Sequence, residues 1–172
     1  MLDLLRTRRS IRKYKAAPLS PEQIELLKEA ILRSPSSRGL DPWEFIFVQD
    51  RSLLEQLSSA KQHGAEFVKH AALAVVICAD PDACDVWIED CSIASIITHL
   101  AAHSLGLGSC WVQIRLRQTA DGTDSEARVR QFLGIPDSIR VLSLVAIGQP
   151  DQKLRPVTKD KLKYHKLHTD RW

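Results

Sequence analysis

From Cys91 to Leu105 the chain carries no charged side chain, and only Ser, Thr and His interrupt the apolar residues. A helix with that composition has no polar face to give to water and is buried on more than one side. The pattern predicts a helix from about Cys84 to Leu105, ended by Gly106, a residue suited to the left-handed conformation of a helix terminus. A chain of 172 residues makes one domain, residues 1–172, with a core of its own. In a body this small, the second covered side of the helix is expected to face another subunit.

The remaining elements follow from shorter signals. Asp3 to Thr7 reads as a short helix. Ser20-Pro21-Glu22-Gln23 is a helix start, in which Ser caps, Pro takes the first helical position and Gln closes a capping box. Ile24, Leu27 and Ile31 form its core-facing stripe, and it stops before Pro35. Strands are expected at Phe45–Val48, Ala72–Ala79, Ser109–Ile114 and Val141–Gly148. The second of these is apolar throughout and should be covered on both faces. Further helices are expected at Ser52–Ala60 and, capped by Asp124 or Ser125, up to Leu133 before Gly134.

Charge is unevenly distributed. The first fifteen residues carry six Lys/Arg against Asp3, and Lys153 to Arg171 carries seven more, whereas residues 16–150 hold eleven basic and seventeen acidic side chains. Two basic ends around an acidic middle suit an anionic ligand gripped where the ends meet. They lack the basic stripe interleaved with aromatics that nucleic acid requires, so no nucleic-acid partner is expected. The N-terminus is charged and no apolar run reaches the roughly 18 residues of a membrane span, so a cytoplasmic protein without a membrane partner is expected. Cys78, Cys84, Cys91 and Cys110 form no CxxC pair and read as reduced, mostly buried thiols.

Candidate chemistry is sparse. In Arg8-Arg9-Ser10-Ile11-Arg12 the forked guanidinium groups and the serine hydroxyl could hold phosphate oxygens, or the cluster could be a solvated basic helix end. The loop Pro35-Ser36-Ser37-Arg38-Gly39-Leu40-Asp41-Pro42-Trp43 is stiffened at two prolines and could face a ligand or simply join helix to strand. Gly106-Leu107-Gly108-Ser109 follows a helix and lacks a third glycine, which excludes a dinucleotide fingerprint. His99 and His103 lie four apart without a third ligand or the glutamate of an HExxH motif, so no metal is expected there. His165 and His168 read as structural too, and Asp80, Asp82 and Asp85 as turn and helix-start residues. No nucleophile elbow or catalytic Cys/His signature occurs. An enzyme with this sequence would leave the difficult chemistry to a cofactor.

In combination and in this order, four segments resemble the nitroreductase family of flavin-dependent oxidoreductases. They are Arg8 to Arg12, Ser34 to Trp43, Gly106-Leu107-Gly108-Ser109-Cys110-Trp111, and Gly134-Ile135-Pro136 leading to Val145-Ala146-Ile147-Gly148-Gln149-Pro150. The resemblance covers nearly the whole chain. It implies an α+β fold, a central mixed sheet flanked by helices, in an intertwined homodimer whose C-terminal arms (residues 151–172) are exchanged. It also implies FMN at the dimer interface, NAD(P)H as co-substrate, and a small electron-poor acceptor such as a nitroaromatic or quinone in a ping-pong cycle.

Carried over by motif, Arg8 and Ser10 bind the FMN phosphate and ribityl chain, with Arg9 close by, and Arg12 lies near flavin N1 and the C2 oxygen. Pro35, Ser36, Ser37 and Gly39 approach the flavin from the other subunit. The backbone of Trp111, Val112 and Gln113 faces the reactive edge, where an N–H meets N5, and Lys153 and Arg155 close on the phosphate. No side chain acts as a catalytic acid or base in this scheme. The sequence departs from the commoner pattern at Gly39 (often Asn), Asp41 (often Gln) and Gln113 (often Gly). The alternative from another class is a flavin-binding sensor or carrier without significant turnover.

Overall fold

The computed structural model describes residues 1–172. In chain order the elements are α1 (Leu2–Thr7), α2 (Pro21–Leu32), β1 (Trp43–Val48), α3 (Arg51–Ser58), β2 (Leu73–Ala79), α4 (Trp87–Ser104), β3 (Gly108–Gln113), α5 (Ser125–Leu133) and β4 (Arg140–Gly148). No helix is long and apolar enough to cross a membrane.

The strands form one sheet in the order β1-β2-β4-β3, with every neighbouring pair antiparallel. The sheet is therefore α+β as expected but not mixed. Parallel pairing is confined to an isolated bridge between Ser10 and Ser109, because the N-terminal segment meets the edge of β3 there and then turns to pair with the residues after β4. β2 lies between β1 and β4, and all of its residues are buried, in accord with its unbroken apolar run. Alternate residues feed two cores. Val76 and Leu144 pack with Leu54, Leu57 and Val129 from α3 and α5 on one face. Val75, Ile77 and Val145 pack with Leu27, Ile31 and Ala94 from α2 and α4 on the other.

Local chemistry accounts for the helix limits. Ser20 and Gln23 close both halves of the capping box at the start of α2, at 3.1 and 3.0 Å. Asp50 caps α3 by accepting the amides of Ser52 and Leu53, so this helix begins one residue before the Ser52 that the sequence suggests. Asp124 rather than Ser125 caps α5, and Gly134 ends it in the left-handed conformation. α4 begins at Trp87 instead of Cys84, for it has no capping side chain and residues 80–83 are spent on a turn in which Asp80 accepts the Asp82 amide.

α4 buries a helical stripe, Trp87, Asp90, Cys91, Ala94, Ser95, Thr98, His99 and Ala102. Its opposite side carries Ile93 and Ile96, 38% and 41% exposed, which is unusual for two isoleucines in the middle of a helix. All four cysteines are buried and free, and burial pushes the Cys78 and Cys91 thiols up to about 12.

Candidate functional site

The residues before and after the body of the fold are brought together by two glycines. Gly108 at the start of β3 pairs with Gly148 at the end of β4. A Cβ on Gly108 would lie 2.6 Å from Ile11 Cγ2, and one on Gly148 would lie 2.9 Å from Tyr14 Cδ1. The missing side chains leave a flat track on which Ile11 and Tyr14 lie directly against the sheet. Backbone bonds hold the strap there: Ile11 N–H to Ser109 O, Lys15 N–H to Gln149 O and Asp151 N–H to Lys13 O, all at 2.9 Å. The buried Tyr14 hydroxyl donates to Ile11 O at 2.6 Å, with Ala146 O 3.2 Å away.

This strap carries Arg8, Arg9, Ser10 and Arg12 to the β3 edge, and the same bonds bring the tail back beside it. Arg9 donates to the carbonyl of Arg155. Sequence positions 9 and 155 are thus neighbours in space. None of Arg8, Arg9, Arg12, Lys153 and Arg155 has a carboxylate within ion-pair distance. Cations gathered without counter-charges repel one another and are stabilised by an anion placed among them.

Behind the strap, α4 supplies the second layer. His99 Nδ1 and Ser109 Oγ are 2.8 Å apart in the interior. Burial, and secondarily the charge of Arg8, push the His99 ring down to about 4, so it is neutral at physiological pH. One turn on, His103 Nε2 meets Thr7 Oγ1 at 2.8 Å and ties α4 to the end of α1. No group of three or more His, Cys, Asp or Glu gathers with metal-ligand geometry.

On the other face of β3, the Arg12 guanidinium stands over the Phe67 ring at 5.8 Å. Lys61 belongs to the same neighbourhood: burial holds its pKa below the ordinary lysine value, and the charges of Arg117 and Arg12 act in the same direction. Burial raises the Cys110 thiol, while Arg12, Ser10, Lys61 and Arg8 all act against that rise. All four groups therefore lie within electrostatic reach of Cys110 in β3.

β3 is an edge strand. Because Ser109 turns its carbonyl away from β4 to accept from Ile11, the alternation of an antiparallel ladder turns Trp111 and Gln113 outward as well. Their amide N–H groups face the open edge, whereas Val112 faces β4 and buries its side chain completely. The Gln113 side chain is occupied, accepting from Trp111 Nε1 at 3.1 Å and donating to Arg115 O at 3.0 Å. N–H groups along an edge and free cations at the end of the strap together suit a ligand that carries both hydrogen-bond acceptors and an anionic group.

The nitroreductase family model matches residues 5–97 and 55–149 in two overlapping segments. This chain belongs to the nitroreductase family. It is an oxidoreductase of that family, as the four sequence segments imply. An FMN-dependent nitroreductase from Clostridium difficile R20291 has the same fold with a TM-score of 0.98, 41% identity and full coverage of both chains. A relative from Archaeoglobus fulgidus, named provisionally as an NADH dehydrogenase or NAD(P)H nitroreductase, is 36% identical across 99% of this chain and 98% of its own. An NADPH-flavin oxidoreductase from Vibrio harveyi is 30% identical over 95% of this chain and 70% of its own.

Within this nitroreductase fold the strap residues, β3 and the root of the tail come together in one chain. The loop at Pro35–Gly39 does not join them: it packs at the other end of α4, where Ser37 N–H bonds to Asp90. Gly39 has φ +66, and a Cβ placed on it would meet nothing within 4 Å. Gly and Asn both tolerate that conformation, which accounts for either residue at this position. Lys61, Phe67 and His99 join the site with no motif to announce them. The histidine spacing is visible in the sequence, but its partner Ser109 is not.

Proposed function

We propose that the chain is an FMN-dependent NAD(P)H oxidoreductase working as a homodimer. The observation that carries this reading is the set of unpaired cations on the glycine-seated strap beside an edge strand with free N–H groups. Arg8, Arg9 and Ser10 hold the phosphate and ribityl chain, with Lys153 and Arg155 closing from the tail, since Arg9 already bonds to Arg155. Arg12, braced on Phe67, places its charge near N1 and the C2 oxygen. Trp111 or Gln113 offers the N–H to N5, and Val112 fixes the strand by burying its side chain.

A flavin held by these residues would supply the hydride chemistry that links NAD(P)H to an electron-poor acceptor. The protein's part is to bind, orient and stabilise negative charge, for which a cation fixed in place before the reaction is effective. No side chain need act as acid or base.

A second copy of the chain completes the site. Ile93 and Ile96 on α4, Leu2 and Leu5 on α1, and Leu162, Tyr164, Leu167 and Trp172 on the tail are all exposed in the single chain. Apolar surface on this scale favours association, and the tail is long enough to lie on a partner. In that arrangement Pro35, Ser36, Ser37 and Gly39 reach the partner's flavin.

The test is an absorption spectrum of the purified protein before and after adding NADPH or NADH. The reading expects a yellow protein that bleaches and recovers with a quinone or nitroaromatic. A colourless protein that does not take up FMN overturns it, while FMN binding without turnover identifies a flavin carrier instead.

A further inference from the structure

The segment Pro35 to Pro42 is built in an unfavourable conformation. Arg38 and Asp41 both have positive φ, at 56° and 47°, although neither is glycine, and Gly39 between them has φ 66°. Isolated chains avoid this for residues that carry a Cβ, so the surroundings must impose it. One brace is internal: Ser36 Oγ accepts the Asp41 amide at 3.0 Å and donates to Asp41 Oδ1 at 2.5 Å. A second is the ion pair of Arg38 with Asp85 at the surface.

The third brace comes from the interior. Asp90, in the first turns of α4 and 3% exposed, accepts the Ser37 amide through Oδ1 at 2.9 Å. Its Oδ2 faces the buried thiol of Cys84 at 3.5 Å. No cation pairs with this carboxylate. A buried carboxylate without a cation is costly, and the N-terminal end of a helix dipole offsets only part of that cost. Asp90 spends its bond on a loop amide instead of on its own helix, and a neutral apolar residue would fill the same interior position more cheaply.

We infer that Asp90 is a positioning residue for cofactor binding: from inside α4 it fixes the Ser37 backbone in the conformation with which this loop receives the flavin of the other subunit. The inference rests on the FMN reading above. The same helix holds Ser109 through His99, so α4 sets both the strap half and the loop half of the site from its two ends.

The experiment uses the full chain, stripped of cofactor and titrated with FMN by flavin fluorescence, with hydrogen exchange read at the Ser37 amide. Asp90→Leu is expected to weaken FMN binding about 10-fold or more and to speed exchange at Ser37, the effect of leaving one buried donor without its acceptor. Asp90→Asn keeps a carbonyl oxygen for the Ser37 amide and should stay within about 3-fold of the wild type. Should Asp90→Leu not fold, Asp90→Ala takes its place.

Wild-type affinity in the Leu or Ala variant overturns the inference. Equal loss in the Asn variant, with the Ser37 amide still protected, also overturns it, because the acceptor would then be irrelevant. Failure of the wild type itself to bind FMN overturns the underlying reading, and Arg8→Ala, which should release FMN while leaving Ser37 protected, separates the two cases.

Discussion

Gly108 and Gly148 are cross-strand partners, and each is the floor under one residue of the N-terminal strap, Ile11 and Tyr14 respectively. Everything that places the arginine cluster follows from this contact. The strap reaches the sheet by backbone bonds on one side and apolar side chains on the other, so Arg8, Arg9 and Arg12 project from a fixed support rather than from a frayed terminus. Gly108 has no positive φ to explain it; the close approach of Ile11 does.

Gly108→Ala is therefore expected to cost about 1–3 kcal/mol, the usual range for overpacking a well-packed position. The displaced Ile11 should carry Arg12 with it, so FMN retention should fall along with the melting temperature. Thermal melting together with the flavin content of the purified variant checks this. Unchanged values for both would mean that the strap is not seated on this track.

The His99 ring gives a pH dependence with a definite sign. It protonates near 6.5 in the unfolded chain but only near 4 in the fold, because burial disfavours the charged ring and Arg8 repels it. Between those values the unfolded state binds the extra proton, so the stability is present above about pH 6.5 and is lost as the pH falls toward 4. The shift corresponds to about 3 kcal/mol. His99→Asn can keep a bond to Ser109 without titrating, and urea unfolding from pH 7 to 4 should show a shallower acid decline in this variant than in the wild type.

Arg12 should tune the cofactor's potential. Arg12→Gln removes the charge while leaving a polar group over Phe67, and the potential of the bound flavin should fall by about 30 mV or more, where 30 mV is about 1.4 kcal/mol for two electrons. Arg12→Lys should recover part of the loss. Dye-coupled reduction measures the potential directly, and equal potentials in all three proteins would remove Arg12 from the ring's neighbourhood.

Glu126 fastens α5 to the sheet. It is 2% exposed, accepts two bonds from Arg140 at 2.9 Å each, and accepts the Val141 amide at 3.2 Å. Glu126→Ala strands the Val141 donor and should lower stability by about 2–4 kcal/mol, whereas Glu126→Gln, able to accept one of these bonds, should lose less. Denaturant midpoints at constant slope distinguish the two variants.

The sequence by itself determined the elements and the family. The Ser20 capping box, the apolar run at Ala72–Ala79, the uncharged stretch at Cys91–Leu105 and Gly134 at the end of α5 are local signals, because helix caps and hydrophobic periodicity act within a few residues of chain. They set the element limits to within about three residues, and the uncapped start of α4 was the least legible of them. The four motifs likewise mark the family, which the family model over residues 5–97 and 55–149 bears out.

What the tertiary structure decided is which distant residues meet. Gly148 beneath Tyr14, Arg9 against Arg155, His99 against Ser109, Arg12 over Phe67 and Asp90 holding Ser37 are separated along the chain by between ten and well over a hundred residues. Such pairs leave no spacing to read, since their contact depends on strand order and on which face each residue occupies. The antiparallel order β1-β2-β4-β3 was of this kind as well. It leaves β3 at the edge, and that position frees its outward amides and gives the strap a place to lie.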